Sequence, residues 1–171
     1  MRVIKLGILS VVVLFGLITA MSMLLPSQVI ISRAIDISKP MDSVYQAVAN
    51  LTRWQGWMDN YDAATTSFST PSKGKGAYIK MGKVRVDITA IEPNKMDGIW
   101  KSADNRPLAG SFNFVSSNNR QTVTVQWQFI QKVQWYPWEK FASITSDKVL
   151  GPYMEKSLDN LKKLLEDNQA H

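Results

Sequence analysis

The side chains able to do chemistry are few. There is no cysteine, and the one histidine is the terminal residue, His171. Thiolate catalysis, disulfides and cysteine-based zinc sites are therefore excluded. With its one histidine at the terminal position, the chain is not expected to use a histidine general base, a Ser-His triad or a multi-histidine metal centre. Acid–base chemistry would fall to carboxylates, with Asp87, Glu92 and Asp97 as candidate bases. Arg85, Lys80 and Tyr78 could polarise a carbonyl beside them. A carboxylate becomes a useful base when burial raises its pKa. Asp87, however, alternates away from the apolar face of its own segment, and the simpler assignment for the whole set is solvated surface. No catalytic residue, metal ligand or cofactor is therefore assigned. The glycines of Lys73-Gly74-Lys75-Gly76 match neither the Walker pattern nor the dinucleotide fingerprint, so they read as a turn.

Whatever the chain does must then follow from its apolar residues. It has 171 residues and a net charge of +6, enough for one domain with a core plus an appendage. Lysine and arginine are scattered without a dense cluster, so no nucleic-acid partner is expected. A weak preference for anionic membrane surfaces suits this charge equally well.

The appendage is residues 1–26. Residues 6–25, LGILSVVVLFGLITAMSMLL, carry no charge. At about 1.5 Å per helical residue the run spans about 30 Å, the thickness of a hydrocarbon core. The predicted element is a transmembrane helix that anchors the chain. The alternative is a signal peptide cut near Ala20, for which Ile18-Thr19-Ala20 is a poor small-x-small site and the apolar run is long. Arg2 and Lys5 favour a cytoplasmic N-terminus, against Arg33 and Lys39 after the span, so the expectation is a single-pass inner-membrane protein with residues 27–171 facing the periplasm or exterior. After signal cleavage it would instead be secreted.

Within residues 27–171 the hydrophobic period changes several times. Residues 27–37 alternate as a strand. Ser38 to Asp42 opens a short helix, with Pro40 near its first turn. Leu51 to Met58 reads as a second, placing Trp54 and Trp57 on one face, either in the core or at a pocket rim. Short strands then recur between about residues 65 and 129, separated by turns at Gly82, Pro93-Asn94, Asp104 to Pro107 and Ser117 to Asn119. Such spacing predicts an antiparallel meander. Trp135-Tyr136-Pro137-Trp138 breaks the pattern, as a lid, a membrane-dipping loop or a packed corner. Ser146 to Asp167 carries apolar residues at Val149, Leu150, Tyr153, Met154, Leu158, Leu161, Leu164 and Leu165, one face of a helix. Ser146 and Asp147 are its N-cap candidates, and Glu155, Lys156, Asp159 and Asn160 mark its polar face. Gly151 would leave room for a cavity, and Pro152 suits a first turn or a kink. The expected fold is α+β: a curved antiparallel sheet wrapped around the long C-terminal helix, two short helices after the first strand, and the N-terminal transmembrane helix.

This order of elements, with these residues, resembles the SRPBCC or START-like superfamily, in particular its polyketide cyclase/dehydrase and lipid-transport branch. The resemblance rests on RAIDISKPMDSVYQAV (33–48), LTRWQGWM (51–58), DITAIEP (87–93) and LDNLKKLLE (158–166). It covers about residues 27–167 and implies a helix-grip fold with an internal cavity for apolar ligands, but no particular reaction. The residues that would line such a cavity are Trp54, Trp57, Val86, Ile88, Trp100, Phe112, Phe114, Trp127, Phe129, Leu150, Met154 and Leu158. The expected function is a membrane-tethered binding module for a lipid or other apolar small molecule. A cyclase, dehydratase or isomerase acting on an apolar substrate and an envelope protein-interaction domain are the alternatives.

Overall fold

The computed structural model describes residues 2–24, 27–103, 105–117, 121–134 and 136–167. It begins with helix α1, Arg2–Met23, whose segment Val3–Met23 is long and apolar enough to cross a membrane. Strand β1 is Gln28–Ile37, helix α2 is Met41–Ala49, and a 3-10 helix covers Leu51–Gly56. The remaining strands are β2 (Thr66–Phe68), β3 (Tyr78–Met81), β4 (Val84–Glu92), β5 (Lys95–Ser102), β6 (Asn105–Ser116) and β7 (Val123–Lys132). Helix α3, Pro137–Asp167, closes the chain.

The strands form one antiparallel sheet in the order β1-β7-β6-β5-β4-β3-β2. Strands β2 to β7 follow one another as a meander, and β1 joins the far edge by pairing with β7 from Gln28↔Lys132 to Ile37↔Val123. Alternation decides which face is buried. Val123, Val125, Trp127 and Phe129 point inward from β7, while Thr124, Gln126 and Gln128 do not. Opposite residues of antiparallel strands share a face, so the pairs Phe112↔Trp127 and Phe114↔Val125 extend the apolar floor across β6. Met154, Leu158 and Leu161 of α3 and the α2–3-10 unit cover that floor. This is the α+β helix-grip arrangement expected from the sequence.

Four local expectations change. First, α3 starts at Pro137, nine residues before Ser146. Pro137 takes the first helical position, where its missing N–H costs nothing, and Glu139 lies in the first turn, where the helix dipole favours a carboxylate. The aromatic break is thus partly helix; Trp135 lies outside the described residues. Ser146 and Asp147 are consequently not caps. The helix also continues through Pro152, which leaves only the Lys148 carbonyl without its usual N–H partner.

Second, Gly151 makes room for an ion pair and not for a cavity. A methyl there would overlap the guanidinium of Arg33, which reaches from β1 across the helix to Asp147 at 2.9 Å and to Glu155. Asp147, Gly151 and Glu155 follow at i, i+4 and i+8, so one arginine bridges two turns over the residue that has no side chain. Third, the polar face of α3 is exposed but makes contacts: half-buried Asn160 donates to the Trp57 carbonyl at 3.3 Å, and exposed Lys156 pairs with Asp59 at 2.9 Å. Val149, expected in the apolar stripe, is exposed. Fourth, the second short helix is 3-10 and the turn before β6 is shorter than expected, because the strand resumes at Asn105. Pro107 is accommodated at the register shift between Trp100↔Leu108 and Ser102↔Asn105, where the ladder needs no N–H from it.

Candidate functional site

A cavity of about 350 Å³ opens at one end of the sheet. Its apolar wall is Met81 from β3, Val84 from β4, Trp100 from β5, Leu108 from β6, Phe129 from β7 and Leu150 from α3. Its polar residues are Asp59 and Asn60 from the loop after the 3-10 helix, Lys101, Ser102, Arg106 and Tyr153. Asn60 turns that loop with φ 57°, a left-handed conformation that asparagine tolerates better than most residues.

The floor owes its shape to two glycines. Gly98 and Gly110 face each other across β5 and β6. A methyl at Gly110 would sit 2.6 Å from Trp100 Cζ3 and 2.8 Å from Phe129 Cε1. One at Gly98 would sit 3.1 Å from the same Trp100 atom. The indole of Trp100 therefore lies directly on bare backbone, with Phe129 edge-on to it at 5.0 Å. Glycine within a strand often marks such a close approach.

The charged rim is held by ion pairs. Lys101 lies 2.9 Å from Asp87, which also accepts from Arg85 Nε at 2.7 Å. Arg106 grips Glu139 through both carboxylate oxygens, at 2.8 and 2.9 Å. The Tyr153 hydroxyl is pushed well above its ordinary pKa, chiefly by burial and further by the charge of Asp59, against the effect of its hydrogen bond with Ser157.

Of the twelve residues expected around a cavity, Trp100, Phe129 and Leu150 lie on this one. Val86, Ile88, Phe112, Phe114, Trp127, Met154 and Leu158 are buried in the core beneath it. Trp54 and Trp57 are also interior, 0% and 1% exposed, and not at a rim. Their indole N–H groups donate to the carbonyls of Val48 and Ala47, at 2.7 and 3.2 Å. Those carbonyls belong to the last turn of α2, where the helix itself supplies no partner. The polar lining residues were not anticipated. Residues 98 and 110 were the available signal, as glycines at inward positions, each two residues from a large aromatic, Trp100 or Phe112.

The candidate catalytic side chains stay apart from the cavity, apart from the link through Lys101. Arg85 stacks over the Tyr78 ring at 3.8 Å, Asp97 pairs with Lys95 at 2.9 Å, and Lys80 and Glu92 are exposed. Burial pushes the Asp87 carboxyl up, but the hydrogen bonds from Lys101 and Arg85 outweigh it and leave the pKa below the usual value. A depressed carboxylate stabilises the fold above its unfolded pKa, near 3.9, and loses that contribution as pH falls through the folded value. Asp87→Asn should therefore lower Tm at neutral pH, with the gap to the wild type closing below about pH 4. Melting curves at several pH values check this; a gap that persists in acid would show that Asp87 acts through packing instead of charge. Among the described residues, no group of three His, Asp or Glu side chains could hold a metal ion.

No family model matches the chain, and no curated protein matches it in sequence. Solved structures do match in shape. The di-domain ARO/CYC protein StfQ from the steffimycin biosynthetic pathway superposes with a TM-score of 0.65 at 10% identity, over 84% of this chain and 52% of that one. Norcoclaurine synthase from Thalictrum flavum gives 0.65 at 8% identity, over 80% and 92%. A START superfamily protein from Mycobacterium smegmatis gives 0.60 at 9% identity, over 81% and 97%. At these identities the likeness is one of fold, and the chain carries the START-like helix-grip fold.

Proposed function

We propose that residues 27–171 form a module that binds a lipid or other apolar small molecule between the sheet and α3, and that α1 tethers it to a membrane. The observation that carries the reading is the cavity: an apolar floor of Trp100, Leu108 and Phe129 under a rim of Lys101, Arg106 and Tyr153. At about 350 Å³ it lies at the lower end of small-molecule pockets, roughly 300–1,000 Å³. Such a pocket suits an amphiphile, with its apolar part on the rings and its polar end among the rim groups. Both structural neighbours with biosynthetic names and the START protein have this fold, which supports a hydrophobic-ligand role without choosing a ligand. Arg2 and Lys5 support a cytoplasmic N-terminus, with the module on the periplasmic or exterior side. A tether would raise the module's effective concentration at the bilayer from which an apolar ligand comes.

The core cluster and the side chains packed against it contain no residue before Val29, so residues 27–171 should fold without α1. Circular dichroism and thermal melting of that fragment come first. Titration with a fluorescent fatty acid should then show saturable one-to-one uptake, with energy transfer from tryptophan. A folded fragment that neither takes up the probe nor carries a co-purifying molecule in native mass spectrometry would overturn ligand binding.

A further inference from the structure

We infer that the end of the domain carrying the cavity mouth docks on the surface of the bilayer that α1 crosses, so that the cavity opens toward that leaflet. The inference rests on the proposal that α1 is a membrane tether, and it adds an orientation which the tether alone does not dictate.

Chain geometry places this end nearest the membrane. Helix α1 ends at Met23 and β1 begins at Gln28. The five steps from Met23 to Gln28 span about 18 Å at most, at about 3.5 Å each. The start of β1 is moreover fastened to the end of β7: Val133 N–H donates to the Ser27 carbonyl at 2.9 Å. Helix α1 also contacts α3, and Ser22 near its C-terminal end is buried. The register carries this end across the sheet, through Gln28↔Lys132, Ala109↔Ile130, Trp100↔Leu108, Val84↔Ser102 and Met81↔Val84. Those last pairs are the strand ends around the cavity. The mouth and the tether therefore share one end of the domain.

The surface there has the character of an interfacial one. Beyond Leu24, the large apolar side chains left exposed among the described residues are Ile30, Val115, Trp138 and Val149. Ile30 is near the start of β1, Trp138 is in the first turn of α3, and Val149 adjoins the lining residue Leu150. Only Val115 belongs to the opposite end. Trp138 is 61% exposed and stacks on Tyr136 at 4.9 Å, two aromatics of the kind that settle at headgroup depth. Lys132, exposed at the end of β7, supplies a cation to an anionic headgroup layer, whereas Lys101 and Arg106 at the mouth are already paired with Asp87 and Glu139. Docking lets a ligand's apolar part pass from leaflet to cavity without crossing water.

Because the chain has no cysteine, single labels can be placed without background. The full chain carrying Leu14→Cys, Val115→Cys or Trp138→Cys would be labelled with an environment-sensitive fluorophore. Each would be reconstituted in vesicles of phosphatidylcholine and phosphatidylglycerol, with and without brominated acyl chains. The label at position 138 should shift to the blue and lose most of its emission to the brominated lipid, while the label at 115 keeps its own. Equal, undiminished emission at 138 and 115 overturns the docking, whatever happens at 14. Undiminished emission at 14 overturns the tether, so the two failures are distinct.

Discussion

Trp54→Ala should cost about 3–5 kcal/mol of folding free energy, the usual range for deleting a fully buried tryptophan. That is a large part of the 5–15 kcal/mol that holds a typical domain together. For a domain of this size it corresponds to a fall in Tm of roughly 10 °C or more. The ring lies 5.5 Å from Trp57, 6.1 Å from Phe112 and 6.4 Å from Trp100, so its loss opens a void at the junction of the 3-10 helix with the sheet. The more discriminating comparison is with phenylalanine. Trp54→Phe keeps most of the ring but removes the N–H that closes the Val48 carbonyl, which leaves a buried acceptor unmet at about 1–3 kcal/mol. Trp127 is as deeply buried, yet among the described residues its N–H has no acceptor. Trp127→Phe removes an unsatisfied donor along with the volume, so it should cost clearly less. Chemical denaturation of the two variants side by side tests this. Equal costs would mean that the capping of α2 by the indole contributes nothing.

This contrast also shows where the sequence is informative and where it stops. The spacing of Trp54 and Trp57 places them on one face, and their size says that they pack. That both indoles point their N–H groups at the end of α2 depends on how the 3-10 turn folds back, which no period records. The strands were legible because alternation such as Val123, Val125, Trp127, Phe129 has one physical meaning, a half-buried sheet. The start of α3 was not, because Pro137 and the Gly151-Pro152 pair look like breaks. Only position in the helix shows that the first is a favourable opening and that the second is offset by the bridge from Arg33 to Asp147 and Glu155. The cavity was the least legible part. An inward phenylalanine reads the same whether it meets another side chain or a void, so Phe112 in the core and Phe129 at the lining are indistinguishable in sequence. What separates them is how Trp100 and Phe129 settle into the room left at Gly98 and Gly110, and a glycine announces space without saying what fills it.

Gly110→Ala should therefore be the substitution that damages site and fold together. The new methyl would meet Trp100 at 2.6 Å and Phe129 at 2.8 and 2.9 Å, all closer than real side-chain contacts. Both rings are buried and both line the cavity, so neither can yield without intruding on it. Overpacking of this kind costs about 1–3 kcal/mol. The displaced indole should also weaken uptake of a fluorescent fatty acid by at least about tenfold, or about 1.4 kcal/mol. Gly98→Ala is the milder control for the same floor, since its methyl meets Trp100 at 3.1 Å. The decisive variant is the pair Gly110→Ala with Trp100→Phe. A phenyl ring is smaller than the indole, so the second change should relieve the part of the clash that Trp100 makes while Phe129 keeps its own, and the two costs should fall short of their sum by about 0.5–3 kcal/mol. Additive costs in that double-mutant cycle would mean that the indole does not rest on Gly110. The account of the cavity floor would then fail with it.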